Sequence, residues 1–567
     1  MSLFSSLQQA SNSLSAAQIG LQVTGNNISN ANTPDYLRQR VIYTPSATQI
    51  QGNLRLGMGV QVEAVVQQVD KFLEERLRSS ISDLSNGEAQ ENTFLQLEAL
   101  IGELSDTDIS TSLNSFFGSI NDILNQPEDL GVRNLSILRG QTLADEVKRL
   151  YQRVEQVHAD TNDRIAQAGT DINNRLIEIG ELNKKIIRME AGTTKSDAVG
   201  LRDQRQRSLK QLSQLIGIRS VEQENGSVTV FSEGDFLVFG GTVRSVSTVV
   251  EATESGLQNV QVKIDATESP LNSGTGKLAG LITSRDAILG NFLEELDGFA
   301  KTLIFEFNKT FSSGQGLVGY EKMETEFAID IEDISQSLDQ VGLAFTPING
   351  SFRIQVLNNQ TGLTNTTDVF VKLNGLNDDT SLQSLTDKIN SVDGLTAEIG
   401  LDGKLSIETD SPNIEFAFAS DTSGVLAALG LGTFFQGSSA STIKVHDVIQ
   451  KDAAKFAVSK GGIGADTENA IELASFLTKE LDSINGETLE FLHTRLVGNV
   501  TQSASVAKSV AEGFRVFKET LEGQKFGISG VSLDEEAVKM ITFQRQFQAS
   551  SRMIAVLDEL LEVMINI

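Results

Sequence analysis

The side chains that most often carry acid–base or metal chemistry are scarce in this chain. Its 567 residues include three histidines, no cysteine and no tryptophan. His158, His446 and His493 lie far apart in the sequence, so we expect solvated or hydrogen-bonded histidines and no shared metal site. The lack of cysteine excludes disulfides, thiolate metal sites and cysteine nucleophiles.

Two glycine-rich segments show only a faint likeness to nucleotide-binding loops. A phosphate loop ending at Gly276-Lys277 needs glycine at 271 and a hydroxyl residue at 278, and both positions are leucine. Residues 461–464 lack the strand–helix–strand setting of a dinucleotide site. The carboxylates mainly follow solvated helix faces, and nothing indicates a glycosidase pair. We therefore predict that the protein is not an enzyme and holds no cofactor or metal.

The charge balance excludes further classes. Lys and Arg number 46 against 75 Asp and Glu, which gives a net charge of −29. Such a chain is repelled by phosphate backbones and by anionic membranes, so we expect no nucleic-acid partner. No apolar run approaches the roughly 20 residues of a membrane-spanning helix. Residues 1–34 carry no charged side chain, and this segment lacks the basic start of a cleaved signal peptide.

Both ends of the sequence show a helical seam, in which apolar or small residues recur at alternating steps of four and three. The N-terminal seam consists of Leu3, Leu7, Ala10, Leu14, Ala17, Leu21, Thr24 and Ile28. The C-terminal seam consists of Met540, Phe543, Phe547, Ser550, Ile554, Leu557, Leu561 and Met564. Because neither helix can bury its seam alone, we expect the two helices to pair as a coiled coil, and to do so only within an assembled tube.

Between the ends, the hydrophobic period changes several times. Helical spacing covers residues 62–124, opened by Val62, and residues 143–189. It returns at about 278–310 and at 441–530. Strand-like alternation marks residues 218–265 and an α+β segment at 331–440, where Asp402-Gly403 between alternating runs predicts a hairpin.

These patterns predict a mainly α, multi-domain protein with β inserts. Residues 1–61 with 531–567 would form a terminal coiled-coil assembly domain. Residues 62–330 with 441–530 would form a long helical-bundle stalk, β-rich at about 218–270. Residues 331–440 would form a small inserted α+β domain that protrudes from the stalk, since both its ends lie in the middle of the chain.

Residues 26–36, Asn26-Asn27-Ile28-Ser29-Asn30-Ala31-Asn32-Thr33-Pro34-Asp35-Tyr36, resemble the signature shared by the rod, hook and hook-associated proteins of the bacterial flagellum. Several further segments resemble the hook-associated branch. They are Tyr36-Leu37-Arg38-Gln39, residues 276–282 with Arg285-Asp286, Asn308 with Gly314, residues 434–437 with 443–445, and residues 530–536 with 543–550. The family usually has Gly where this chain has Asp35, and often His where it has Phe311. Asp tolerates a left-handed turn better than most residues do, so we expect the turn to be kept.

This resemblance implies a structural subunit that joins hook to filament. It implies an extracellular location, export by the flagellar type III system without a cleaved signal peptide, and assembly through the terminal helices. The residues expected at the assembly interface are Leu3, Leu7, Leu14, Leu21, Ile28, Asn30, Asn32, Thr33, Pro34, Tyr36, Met540, Phe543, Phe547, Ile554, Leu557, Leu561 and Met564.

The implied partners are further copies in a ring or tube, the hook subunit, the second hook-associated protein, the filament cap protein and a cytoplasmic export chaperone. One alternative is another axial protein: the second junction protein, the hook subunit or a distal rod subunit. Another is an extracellular enzyme or adhesin that carries residues 331–440 as its active module. A third is a plain soluble helical protein.

Overall fold

The computed structural model describes residues 3–51, 54–102, 108–191, 196–252, 258–376, 378–464 and 466–565. These residues form two compact units, each built from separate stretches of chain. Unit 1 comprises Met1–Thr93, Ala159–Ala287 and Ser505–Ile567, and unit 2 comprises Phe94–His158 and Ile288–Ala504. These stretches differ from the three predicted domains, whose boundaries stay a prediction.

Helices dominate, as the sequence predicts. They are α1 (Leu3–Ser29), α2 (Lys71–Gly102), α3 (Ile109–Asn125), α4 (Leu130–Glu190), α5 (Val199–Leu215), α6 (Lys277–Thr283), α7 (Gly290–Ser312), α8 (Leu382–Asn390), α9 (Val425–Leu429), α10 (Asp447–Lys451), α11 (Glu468–Ala474), α12 (Leu489–Ser529) and α13 (Leu533–Ile565). A π-helical segment, Ser284–Leu289, joins α6 to α7. None of these described helices has both the length and the apolar composition needed to cross a bilayer.

The strands of unit 1 are β1 (Gln39–Pro45), β2 (Thr48–Gln51), β3 (Leu54–Gly57), β4 (Val60–Gln67), β5 (Arg219–Glu222), β6 (Val228–Ser232), β7 (Asp235–Phe239), β8 (Thr242–Val243), β9 (Val246–Ala252), β10 (Gln258–Ile264) and β11 (Ser269–Pro270). They form the ribbons β1-β4 and β2-β3, the sheet β5-β6-β7-β8 and the sheet β11-β10-β9. The predicted β-rich region at about 218–270 therefore corresponds to β5–β11.

The predicted helix opening at Val62 is wrong, because Val60–Gln67 is β4 and α2 begins only at Lys71. Val60, Val62 and Val66 also alternate at the strand period, and β1 supplies an antiparallel ladder along the whole of β4. The prediction of helix throughout 441–530 is correct only for α12. The described residues of 441–488 form short helices, a two-residue strand and turns instead, with positive φ at Gly464 and Gly486.

Three asparagines attach the sheets of unit 1 to α4. Asn162, Asn173 and Asn183 recur at steps of 11 and 10 residues, close to three helical turns, and so share one face. Asn173 Nδ2 donates to the Val246 carbonyl at 2.5 Å and its Oδ1 accepts from the Val246 N–H at 2.8 Å. Asn183 makes the same two hydrogen bonds with Val228: its Nδ2 donates to the Val228 carbonyl and its Oδ1 accepts from the Val228 N–H. Each amide thus pairs with a strand as a neighbouring strand would.

In unit 2 the strands are β12 (Lys322–Glu324), β13 (Gly350–Asn358), β14 (Leu363–Val371), β15 (Leu395–Ile399), β16 (Leu405–Thr409), β17 (Ile414–Ala419), β18 (Phe435–Gln436) and β19 (Lys444–Val445). They form the sheets β12-β16-β15 and β14-β13-β17 and the ribbon β18-β19. The hairpin predicted at Asp402-Gly403 is present, since β15 and β16 pair antiparallel and Gly403 has a φ of +75°.

We call residues 322–431 the inserted module. One apolar core fills it, including Phe352, Ile354, Leu405, Phe416 and Leu426, which are all at most 1 % exposed. Helix α8 begins at a capping box that joins Ser381 and Ser384. Elsewhere in unit 2, Phe311 is fully buried among other phenylalanine rings, with its centroid 5.3 Å from that of Phe434.

Candidate assembly interface

The two terminal helices, α1 and α13, pack along each other within unit 1 of a single chain. The prediction that they pair is confirmed. The expectation that they pair only within an assembled tube is wrong, because in the single chain each helix already covers one face of the other. We call these two helices the terminal pair.

The inner face of α13 is the predicted C-terminal seam. Leu557 and Ser550 are buried, and Met540, Phe543, Ile554 and Leu561 are partly buried. Phe547 and Met564 are exposed, at 36 % and 58 %. The line of buried and half-buried positions begins one step earlier than predicted, at Glu536, which is 1 % exposed.

The inner face of α1 is displaced slightly from the predicted seam. Leu3, Leu7, Leu14, Leu21 and Ile28 are only half-buried. The fully buried positions carry small or polar side chains, namely Ser6, Ala10, Ala16, Ala17, Gly20, Val23, Thr24 and Asn27. Small side chains let the two backbones approach closely. A Cβ added at Gly20 would lie 2.8 Å from the Phe543 ring, so that ring needs the glycine.

A buried polar cluster fixes the register at one end of the terminal pair. Asn27 Nδ2 donates to Glu536 Oε2 and to the Gln39 carbonyl, both at 2.9 Å. Asn27 Oδ1 accepts from the Gln39 N–H and from the Tyr36 hydroxyl, also at 2.9 Å. The Asn27 side chain thus has four hydrogen-bond partners, namely Glu536 Oε2, the Gln39 carbonyl, the Gln39 N–H and the Tyr36 hydroxyl. A shift of one helix along the other would leave some of these buried polar groups unpaired.

Arg38 completes this polar cluster. Its Nε donates to Glu536 Oε1 at 3.0 Å, and its Nη2 lies 2.7 Å from both Glu536 Oε1 and Glu535 Oε2. Burial tends to raise the pKa of Glu536, but hydrogen bonds from Asn27, Lys539 and Arg38 outweigh it and hold this pKa below its ordinary value. The carboxylate therefore stays charged, at the N-terminal turn of α13 where the helix dipole also favours it.

The signature turn after α1 leaves several of its residues open to solvent. Asn30 and Tyr36 are half-buried, whereas Asn32, Thr33 and Pro34 are exposed. Asn30 Oδ1 accepts from the Thr33 hydroxyl at 3.2 Å, which closes the turn. Burial is the largest cause of a raised Tyr36 pKa, with the nearby carboxylates of Asp203 and Glu536 adding to it.

The outward face of α13 carries a second set of apolar side chains that the terminal pair does not cover. Met553, Val556, Leu560 and Val563 follow one another at steps of three and four, and each is between 43 % and 58 % exposed. We call these four residues the outer stripe. A row of exposed apolar residues of this kind is a candidate contact surface for another molecule.

The chemically versatile side chains are not brought together. His446 Nδ1 accepts from the Val448 N–H at 3.2 Å and caps α10. His493 lies 6.0 Å from the Phe299 ring, and burial lowers the pKa of both histidines. Across the described ranges, no three His, Asp or Glu side chains are grouped as a metal ion would require.

Sequence reasoning missed three of the residues that build this interface: Asn27, Arg38 and Glu536. Asn27 lies in the signature, Arg38 in the tetrapeptide Tyr36-Leu37-Arg38-Gln39 and Glu536 in the acidic first turn of α13. Their pairing joins positions about 500 residues apart. The acidic cluster after Leu533 was the one available signal, because a carboxylate at a helix N-terminus is favourable but needs a partner if it is buried.

Three family descriptions match this chain. Residues 94–327 match the flagellar hook-associated protein FlgK helical domain. Residues 527–567 match the C-terminal region of the flagellar basal body rod FlgEFG proteins, and residues 7–36 match the flagella basal body rod protein family. Most of α1 and all of α13 and α4 therefore lie in matched segments.

Curated relatives match over the full length. Flagellar hook-associated protein 1 of Bacillus subtilis strain 168 is 24 % identical, over 100 % of this chain and 98 % of its own length. The protein of the same name from Escherichia coli K12 is also 24 % identical, over 99 % of both chains. The flagellar hook junction protein FlgK from Burkholderia pseudomallei has a similar fold, with a TM-score of 0.50, 16 % identity and coverage of 80 % of this chain and 100 % of its own.

Proposed function

The chain belongs to the family of flagellar hook-associated proteins, and from that premise we propose that it is a structural subunit of the junction between hook and filament. The matches over the full length support this assignment. Membership of the family also makes the protein a part of the flagellum that assembles with other flagellar components. Its role in the family is structural, and we propose that it catalyses no reaction.

The terminal pair carries the mechanism. Its inner faces are satisfied within one chain, whereas its outer stripe stays uncovered. We propose that the outer stripe contacts a second copy of this chain, because the assembled junction repeats the same subunit and the apolar stripe needs an apolar cover. Because these side chains are about half exposed before assembly, burying the remainder of each contributes about 1 kcal/mol, and four per subunit give a useful gain.

The predicted interface residues of the signature turn fit the same role. Asn32, Thr33 and Pro34 are exposed in the single chain, and they lie directly after α1. They can therefore contact a neighbouring subunit without any change in the terminal pair. We propose that the seventeen predicted interface residues serve two purposes. The buried and half-buried ones hold the terminal pair and its adjoining turn in place, and the exposed ones, Asn32, Thr33, Pro34, Phe547 and Met564, face the neighbour.

The partners and location follow from the position of the junction. We propose that the hook subunit lies on one side and the second hook-associated protein on the other, with the filament cap protein and a cytoplasmic export chaperone as transient partners. We also propose export by the flagellar type III system without a cleaved signal peptide. The final location is then extracellular.

A second candidate function is that of another axial protein, and the family matches at the two ends of the chain support it. Residues 7–36 and 527–567 match rod proteins as well, so the terminal helices alone do not distinguish junction from rod. The match over residues 94–327 is to the hook-associated protein and favours the junction.

Electron microscopy of a strain that lacks this protein tests the proposal. We expect hooks without filaments, and flagellin in the medium, because nothing then connects the two. A rod subunit predicts the loss of complete hooks instead. Normal filaments in the deletion strain would overturn both assignments.

Two adjacent substitutions then test the mechanism in the same strain. Leu557 faces α1 and is 8 % exposed, whereas Val556 faces outward and is 55 % exposed. We expect Val556→Asp to leave the free protein folded but to prevent filament growth, and Leu557→Asp to disrupt the terminal pair itself. Asp558→Asn, at an exposed polar position, is the matched control and should restore filaments.

A further inference from the structure

The turn that follows α1 lies against one face of α5. We propose that this face is a clamp that holds the turn in its left-handed conformation. The clamp thereby fixes the direction of the terminal pair within unit 1. The face consists of Asp203, Arg207 and Lys210, which we call the α5 clamp. Their spacing of four and three residues places them on the same side of the helix.

Each residue of the α5 clamp holds a different group of the turn. Arg207 Nη2 donates to the Pro34 carbonyl at 3.1 Å. Lys210 Nζ donates to Asp35 Oδ1 at 3.0 Å. The Leu37 backbone N–H donates to the Asp203 carboxylate. Three contacts over four consecutive residues leave the turn little freedom to rotate.

The opposite side of α5 explains why the clamp is rigid. Leu209 and Leu212 are at most 1 % exposed and belong to the apolar core of unit 1. Arg205 on the same side is also buried and donates to the Asn183 side chain at 3.0 Å. The α5 backbone is therefore fixed by the core, and the clamp transmits that position to the turn.

The turn needs such support because Asp35 has a φ of +59°. Residues with a Cβ adopt this left-handed region at a cost, which Asp lowers only in part. The Lys210 pair stabilises the conformation from outside, with both side chains mostly shielded from solvent. Glycine would adopt the same φ without help. Asp35 and Lys210 should therefore be energetically coupled.

A double-mutant cycle on the free full-length protein tests this coupling. The variants are Lys210→Met, Asp35→Gly and both together, and the measurement is amide hydrogen exchange of residues 35–38 by mass spectrometry. We expect Lys210→Met alone to accelerate this exchange about three- to tenfold. In the Asp35→Gly background the same substitution should change it by less than about twofold.

Two controls separate the clamp from other effects. Lys210 Nζ also lies 3.8 Å from Glu522 Oε1, so Glu522→Gln should leave the exchange of the turn unchanged. Lys210→Arg, which keeps the charge, should restore slow exchange. Equal acceleration by Lys210→Met in both backgrounds, or none in either, would overturn the proposal.

The consequence for assembly rests on the proposed function and is measured separately, by filament growth in the deletion strain. We expect Lys210→Met to reduce filament number and the double variant to restore it. If the exchange data show coupling but filaments are unaffected, the clamp does not direct the terminal pair, and that part of the proposal is wrong. If the wild-type gene itself restores no filaments, the proposed function fails while the exchange result stands.

Discussion

The terminal pair and the inserted module bury their apolar residues in different ways. In the module, large side chains such as Phe352 and Phe416 are fully enclosed by its own strands and helices. In the terminal pair, α1 buries mainly small residues, and Leu557 is the only large apolar side chain of α13 that is buried among its described residues. The polar cluster around Asn27 and Glu536 supplies the register instead.

This difference indicates which part of the molecule is complete in one chain. The module needs nothing further to stabilise its core. The terminal pair has a defined inner face but leaves the outer stripe exposed, and the proposed contact with a neighbouring copy would cover it. Substitutions in the module should therefore change stability, whereas substitutions on the outer stripe should change assembly.

The largest expected effect is on the module. Phe352→Ala removes a fully buried ring, and the loss of packing should cost about 3–5 kcal/mol in the free energy of unfolding of that region. Amide exchange should accelerate across β13, β14 and β17 and stay unchanged in α1 and α13. Equal acceleration in the terminal pair would show that the two regions do not fold independently.

Loss of the polar cluster should have the next largest effect. Arg38→Met leaves the buried Glu536 carboxylate with fewer partners, at a cost of about 2–3 kcal/mol to the terminal pair. The expected result is faster amide exchange in α1 and the first turns of α13. Arg40→Met, at an exposed position two residues away, is the control and should have no effect. If both variants behave alike, the cluster does not set the register.

Replacing either of two glycines of α1 by alanine should change the stability of the terminal pair by a smaller amount, with opposite signs at the two positions. Gly20→Ala places a Cβ against the Phe543 ring and should destabilise the terminal pair by about 1–2 kcal/mol. A Cβ at Gly25 meets no atom within 4 Å, so Gly25→Ala should stabilise α1 by up to about 1 kcal/mol through helix propensity. Thermal unfolding followed by circular dichroism compares them. The same sign for both substitutions would contradict the close approach at Gly20.

The smallest expected effect depends on pH. Burial raises the pKa of Asp203 to about 6, although hydrogen bonds from Leu37 and Gln67 and the charge of Arg207 oppose it. A raised carboxyl pKa favours folding when the group is protonated, so this contribution is lost as the pH rises through about 6. Asp203→Asn should be the more stable protein at pH 7.5, by on the order of 1 kcal/mol after allowance for partial exposure.

The matching measurement is the unfolding midpoint of both proteins between pH 4.5 and 7.5. The advantage of Asp203→Asn should shrink as the pH falls, because the wild-type carboxyl becomes protonated. A constant difference over this range would mean that Asp203 has an ordinary pKa.

Sequence reasoning located the elements that depend on local pattern. Apart from the exposed Phe547, the inner face of α13 follows the predicted seam from Met540 to Leu561, because steps of three and four directly report which residues share a helix face. The hairpin at Asp402-Gly403 was also predictable, because the left-handed turn restricts the residue type. On α1 the pattern was shifted, since leucines gave the stronger signal but small residues allow the closer packing.

What depends on distant contacts could not be predicted. The sequence of β4 fits the start of a helix equally well, because the spacing of Val62 and Val66 matches both the helical and the strand period. Only the pairing with β1 decides between helix and strand. In the sequence, Asn162, Asn173 and Asn183 look like polar residues on a solvated helix face. Each is buried or half-buried only because a strand far along the chain lies against it.

The inner face of α13 is covered within one chain, and we propose that the outer stripe is covered only by a neighbour. The chain contains no cysteine, so Val556→Cys and Leu557→Cys provide single thiols whose alkylation rates can be compared in the free protein and in assembled flagella. We expect Val556→Cys to react quickly when free and to be protected on assembly, and Leu557→Cys to be protected in both states. Equal reactivity of Val556→Cys in both states, or rapid labelling of Leu557→Cys in the free protein, would contradict the account.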